Sequence, residues 1–412
     1  MNILNLARPK VRRGRRTRFP AENRIPLPTS LRHPYVRTMT DLTATELIRV
    51  HSADSHLMEP DDLWIQALPK SQADRAPRFE RDDKYETIYL DGERKLRLLN
   101  EFSDAFRPPG AFDVDLRLLD LDNEGVWGQL AFPSRALWLS GLDDRELYRA
   151  TAAAYNDWAA AEIIQRTPRI LPAAVVSTID ISDAIDELGR AIDLGFQSVF
   201  MPTSVPAGLE YGQDLWDPLW SAIEEAGIVA AFHIGTGETP VVYRGPGGAI
   251  VNYWETCVPG QRVVAQLVAS GALDRHPNLR VLIAEGGASW VPALADRLDE
   301  AYRQHGMYVR PKLSLLPSEM IFRQVYTSFQ HDASAIPAVE AMGYTNVMWG
   351  DDYPHLEGTY GHTQQTLHQL FDDSTAETRR LVTLANFEKL FEVPPMPADW
   401  GRHAAAASTV SA

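Results

Sequence analysis

The sequence predicts an α/β chain folded as a (β/α)8 TIM-type barrel with a β-hairpin insertion after the first strand. Three observations predict it. From residue 48 onward, short apolar runs alternate with longer amphipathic stretches. The runs are nearly continuous in apolar residues, as parallel strands covered on both faces are. The turn after the first run holds Ser55, His56, Leu57, Met58 and Glu59. It lacks the glycine-rich phosphate loop of a doubly wound open sheet, the main competing fold.

The expected strands are Ile48 to His56, Val126 to Pro133, Ile170 to Ser177, Ser198 to Pro202, Ile228 to Ile234, Val281 to Glu285, Val325 to Phe329 and Val347 to Asp351. Eight runs with helices between them suit a closed barrel. A helix over Ile181 to Leu194 opens after Asp180 and closes at Gly195, an N-cap and C-cap pair. Leu215 to Ala226 ends at Gly227 in the same way. Val263 to Leu273, Val291 to Gln304 and Ala335 to Met342 complete the alternation, and the chain from Thr375 reads as helical. Residues 84–98 read KYETIYLDGERKLRL, and Asp91-Gly92 between alternating segments signals a hairpin. This insertion, about residues 79–113, is expected over the barrel mouth.

Composition sets the bounds. The 412 residues are 45% hydrophobic and 23% charged, with net charge -15. Residues 1–38 hold ten basic side chains and one acidic, leaving 30 basic against 54 acidic beyond them. The acidic body argues against nucleic-acid binding. The expected organisation is a disordered basic tail over 1–42, a barrel over 43–396 and a disordered tail over 397–412. The basic segment RPKVRRGRRTRF is followed by Pro20, Glu22 and Asn23 rather than the apolar stretch of an export signal. Cys257 is the one cysteine, so no disulfide forms within the chain, and a cytoplasmic location is expected. No apolar run is long enough to span a membrane.

Function in a barrel gathers at the carboxyl ends of the strands. The polar residues there are Asp54 and His56, then His233, Glu285, His331, and finally Asp351, Asp352 and His355. Asp54 and His56 are two apart, so on a strand they share a face. Asp54, His56, His233 and Asp352 make a mixed nitrogen and oxygen set. It suits one divalent ion, zinc in first place, with manganese or iron as alternatives. Glu285 reads as a proton shuttle or as an orienting partner of a ligand histidine. Glu59 reads as a further ligand or as a loop anchor. Trp254, Trp290, Phe329 and His355 are candidate pocket residues, and Arg107, Arg135 and Arg244 lie in loops within reach of the mouth.

The runs SADSHLMEPDDLW, AFHIG, LIAEGGASWVP, MWGDDYPH and ANFEKLFEV occur in this order. Together they resemble the amidohydrolase-related family that includes aminocarboxymuconate semialdehyde decarboxylase and the aromatic-acid decarboxylases. The resemblance spans roughly residues 48 to 393. It implies a single-metal barrel with ligands at Asp54, His56, His233 and Asp352, and it implies a homodimer. The chain departs from many relatives in carrying aspartate with histidine on the first strand and Glu285 on the sixth, and its fourth strand has no metal-bridging lysine.

Two enzymatic readings follow. A carboxy-lyase would use the metal to hold a small, aromatic or carboxylated substrate, with Asp352, Glu285 or His331 supplying the proton. A hydrolase would activate water, with Asp352 as base and Glu285 or His331 as acid. A non-catalytic barrel that binds a ligand or partner is the third reading.

Overall fold

The computed structural model describes residues 47–105, 107–237, 242–398 and 400. The tail expected over 1–42 lies outside them, as does most of that expected over 397–412. Eight parallel strands form the centre. They are β1 (Val50–Ser52, resumed at His56–Leu57), β2 (Val126–Pro133), β3 (Ile170–Pro172, resumed at Ala174–Val175) and β4 (Ser198–Pro202). They continue as β5 (Val229–His233), β6 (Arg280–Ala284), β7 (Val325–Phe329) and β8 (Val347–Trp349). Each strand pairs in parallel with the next. The ring closes where Ala53 N–H donates to Trp349 O and Asp352 N–H donates to Asp54 O, each at 2.9 Å. Ser55 and Tyr353 add a parallel bridge at the same seam. Closure into a barrel leaves the central strands no open edge.

Alternate residues on each strand pack into different cores. Val199, Met201, Ala230, Phe232, Val281 and Ile283 belong to one. Phe200, Val229, Ala231, Leu282 and Ala284 belong to the other. The rings of Phe132 on β2 and His233 on β5 stand 4.8 Å apart although their strands are not neighbours. The face carrying Val229, Ala231 and His233 therefore looks into the barrel. The strand period of two thus aims His233 along the inward row.

Helices return the chain between strands. Ile181–Asp193 is capped by Asp180, whose side chain accepts from Asp183 N. The segment expected as one helix over Val263 to Leu273 is two, Val258–Ala269 and Ala272–Arg275. The break falls at Gly271, whose φ of +77° leaves the helical region. Between β1 and β2, the segments Arg78–Arg81, Tyr85–Leu90 and Glu93–Leu99 form a separate antiparallel sheet. Asp91 and Gly92 turn between the last two with φ of +52° and +74°. Positive φ at both central residues is what a type I′ turn requires. No helix of the described residues is long and apolar enough to cross a membrane.

Two expectations follow from this packing. A Cβ at Gly350 would lie 2.6 Å from Asp54 Cβ and 3.2 Å from Asp54 N. Gly350→Ala should wedge β8 from β1 and destabilise the fold by about 1–3 kcal/mol, seen as a lowered Tm; an unchanged Tm would contradict the tight seam. At the opposite end of β1, His51 is buried and stacked on Phe387. Burial, helped by the Arg169 charge, lowers its pKa from 6.5 to about 4. The half-exposed Glu388 carboxylate, 3.7 Å away, does not offset this. The unfolded chain then binds the extra proton between pH 6.5 and 4, so His51 removes about 3 kcal/mol of stability as pH falls through that window. Denaturation of His51→Leu should lose less stability than wild type over that range, and parallel pH profiles would refute the assignment.

Candidate metal centre

Four of the expected site residues converge at the carboxyl end of the barrel. Asp54, His56 and Asp352 are fully buried, and His233 is 3% exposed. His233 Nε2 lies 3.4 Å from Asp54 Oδ1. His56 Nε2 lies 3.3 Å from Asp352 Oδ1 and 4.0 Å from Asp54 Oδ1. The outer ring nitrogens face backbone carbonyls: His233 Nδ1 is 2.8 Å from Ile234 O, and His56 Nδ1 is 3.3 Å from Pro133 O. A carbonyl only accepts, so each Nδ1 carries the proton and each Nε2 presents a lone pair inward.

That arrangement is a test of fit for a cation. Burial, reinforced by the charge of His355, lowers the His56 pKa to about 3. Its contact with Asp352 is therefore not an ion pair but two acceptors facing each other. Asp54 Oδ1, His56 Nε2, His233 Nε2 and Asp352 Oδ2 are all buried without a hydrogen-bond donor. Each such group costs about 1–3 kcal/mol if left unsatisfied. Ligands held tetrahedrally at about 2.1 Å lie roughly 3.4 Å apart, close to the spacings seen. The residues fit a divalent metal ion: one atom each of Asp54, His56 and His233 lie within 4.8 Å of one another, and Asp352 joins the set beside His56.

The surrounding groups fix these side chains. His355 Nδ1 meets Asp352 Oδ1 at 2.9 Å, and its ring stacks on His56 with centroids 3.9 Å apart. Burial alone would raise the Asp352 pKa, but the His355 charge and hydrogen bond outweigh it and keep the carboxyl ionised. Gln330 Nε2 donates to Asp54 Oδ2 at 3.3 Å. Beneath the site lies a buried guanidinium. Arg117 donates to His56 O at 2.7 Å, to Ser55 Oγ at 3.0 Å and to Gln129 Oε1 at 2.9 Å. Gln129 and Ser52 in turn donate to Asp351, so Asp351 is a framework acid rather than part of the converging set.

Glu285 stands 3.7 Å from His233 Nε2. An extended backbone would send it outward with Val281 and Ile283. Instead its φ is +59°, a left-handed conformation that is costly for a side-chain-bearing residue. Asp352 shares this strain at +50°. Burial, with the charges of Asp352, Asp54 and Glu357, pushes the Glu285 carboxyl well above the usual range. Burial among like charges favours its protonated form.

The other expected residues fall elsewhere. His331 is exposed, bonds Glu357 O at 3.1 Å and stacks on His362. Trp254 is 62% exposed on the helix Gly248–Glu255, and Phe329 is sealed in the core. Trp290 is half-buried and donates to the carbonyls of Gly286 and Gly287. Arg135 and Arg107 both reach Asp61, and Arg244 is exposed. Glu59 is buried and accepts from the backbone of Arg135 and Ala136, which makes it a loop anchor. Sequence reasoning missed Arg117, Gln129, Gln330 and Glu357. Arg117 sits in an amphipathic-looking helix, Val114–Glu124, with nothing local to mark it as buried.

Comparison with known proteins gives the fold and the family. The sequence pattern of the family described as amidohydrolase matches residues 106–393. A 2-amino-3-carboxymuconate-6-semialdehyde decarboxylase from Dictyostelium discoideum is 27% identical over 264 residues, covering 59% of this chain and 67% of that protein. An amidohydrolase structure from Mycobacterium avium subsp. paratuberculosis superposes with a TM-score of 0.71 at 20% identity, covering 85% of this chain and 99% of that one. A dihydroxybenzoic acid decarboxylase from Polaromonas sp. JS666, solved with manganese and the inhibitor 2-nitroresorcinol, gives 0.61 at 16% identity, covering 83% and 96%. At these identities the structural likenesses establish the barrel fold and nothing finer. The pattern match, which takes in most of the chain including the ends of β2 to β8, establishes that this protein belongs to the amidohydrolase family.

Proposed function

We propose that the chain is a metal-dependent non-oxidative decarboxylase of a small aromatic or otherwise carboxylated acid. The observation that carries the reading is the set of inward-facing, donorless acceptors on Asp54, His56, His233 and Asp352. Those four residues would hold one divalent ion. Their two nitrogens and two carboxylates suit zinc first, with manganese, the ion of the Polaromonas decarboxylase, as the alternative. A divalent ion there supplies positive charge that fixes substrate oxygen atoms and stabilises negative charge developing beside them.

The protein's own groups account for the rest. His355 and the β1–β8 seam hold Asp352 ionised and oriented, which suits a ligand rather than an acid. Glu285 is the proton donor. When the carbon–carboxylate bond breaks, carbon dioxide leaves and the bonding pair stays on the substrate carbon. That carbon takes the Glu285 proton, and Glu285 is reprotonated from solvent. His331, exposed and tied to a loop carbonyl, is not given this role.

The charge inventory favours a second reading, hydrolysis of an uncharged substrate. Asp54, Asp352, Glu285 and Glu357 crowd the site, and no Lys or Arg of the described residues forms an ion pair with them.

Two measurements test this. Elemental analysis of the purified protein should find at least one divalent transition ion per chain. His233→Ala should lose the tightly held ion while keeping the wild-type circular dichroism; undiminished metal would remove His233 from the ligand set. The metal-loaded enzyme, screened against hydroxybenzoates, should release carbon dioxide, and Glu285→Gln should lower kcat by roughly 100-fold or more with substrate binding retained. Hydrolysis of esters or amides without carbon dioxide release would select the second reading instead.

A further inference from the structure

A cavity of about 360 Å³ lies at the amino-terminal end of the barrel, between the residues that lead into β1 and the helical turns after Thr375. Ile48, Leu384 and Met396 give it an apolar wall, and Arg49, Arg379 and Arg380 also line it. No Asp or Glu is among its lining residues. Among the described residues, none of the three arginines pairs with a carboxylate; their one side-chain partner is Ala398 O, 3.3 Å from Arg49 Nη1. Arg49 and Arg379 are half-buried. Arg107 and Arg169, also half-buried, each meet a carboxylate. Nor do Arg379 and Arg380 serve a helix end. Their helix, Ala376–Arg380, continues as helical turns through Leu381–Ala385 and Asn386–Leu390. The pair therefore stands in mid-helix, away from the terminal carbonyls that attract cations. Beyond residue 38 the chain carries 54 acidic side chains against 30 basic, yet the positive charge around this cavity is left uncompensated.

We propose that this cavity binds a small amphipathic anion, a carboxylate or phosphate head on an apolar body. Guanidinium groups match the oxygens of either head. The wall of Ile48, Leu384 and Met396 takes the body, and the volume falls within the roughly 300–1,000 Å³ of ligand pockets. A polyanion such as nucleic acid is excluded, because the acidic body around the cavity repels it. Position separates this ligand from a substrate. Arg49 immediately precedes β1, whereas Asp54 and His56 lie towards its far end, and chemistry in a barrel gathers at the carboxyl ends of the strands. The turns Leu381–Ala385 pack against β1 and β8, the strands that lead to Asp54 and Asp352. An anion held between Arg49 and Arg379 thus ties the start of β1 to the helical turns behind the seam, and it stabilises the fold without entering the mouth. Nothing in this site depends on what the metal centre holds.

Titration calorimetry of the full chain with octanoate tests this, with octanol and inorganic phosphate as probes that each lack one half of the ligand. Wild type and His233→Ala should both bind one octanoate per chain at this site, with a raised Tm. Octanol and inorganic phosphate should each bind at least about ten-fold more weakly, the weight of one charge-assisted hydrogen bond or of two buried methylene groups. The double variant Arg379→Gln, Arg380→Gln removes side chains that bond nothing among the described residues, and its fold is checked by circular dichroism. It should weaken octanoate by a similar factor. Octyl phosphate run beside octanoate identifies the head group, and tighter binding of either supports the site. No octanoate binding to wild type overturns the proposal. Binding that His233→Ala abolishes and the double variant leaves intact puts the anion at the metal centre and overturns it as well. Octanol binding as tightly as octanoate removes the arginines from the site, and inorganic phosphate binding as tightly removes the apolar body; either result overturns the amphipathic ligand.

Discussion

The hydrogen bond from Asp352 N to Asp54 O closes the barrel between its first and last strands. It also sets two carboxylates, 298 positions apart in the chain, on one side of a common point. Ser52 reinforces this seam by donating to Asp54 O and to Asp351, while Asp351 N donates back to Ser52 Oγ. Gly350 lets the two backbones approach. Parallel strands supply the aim: all eight carboxyl ends point one way, so a short polar residue just past each apolar run reaches the same mouth.

Electrostatics explains why such a site has to be held by force. Buried acceptors that face one another repel, and left-handed backbone at Glu285 and Asp352 adds strain. The scaffold offsets these costs with a donor network anchored on Arg117. That guanidinium ties the carbonyl of His56, the hydroxyl of Ser55 and the amide of Gln129 into one unit and lies 4.7 Å above the Tyr353 ring. A fully buried cation set behind the ligands also tempers the negative field of the carboxylates without entering the mouth. A truncated Arg117 would leave several buried acceptors unpaired, a change that ordinarily costs several kcal/mol.

The division of labour among the acids follows from their surroundings rather than their residue type. Asp352 meets the His355 imidazole and stays ionised, whereas burial and neighbouring carboxylates push the Glu285 carboxyl up. Asp351, one residue from Asp352, faces outward into hydroxyl and amide donors and serves the frame. Glu59, inviting as a ligand in the linear sequence, spends both oxygens on the backbone of the loop after β2.

The sequence by itself determined the alternation of strands and helices and which residues end the strands. Both are local consequences of apolar periodicity and of chain direction. It therefore pointed to Asp54, His56, His233 and Asp352, because each immediately follows or closes an apolar run whose inward face is fixed by the two-residue period. Tertiary structure alone decided what those residues face. The inward turn of Glu285 depends on a backbone angle that no periodicity encodes, and the exposure of His331 and Trp254 depends on how their loops fold back. The burial of Arg117 depends on a helix packing over the seam. These are contacts between parts of the chain far apart in sequence or angles within irregular turns, and a linear pattern carries no record of either.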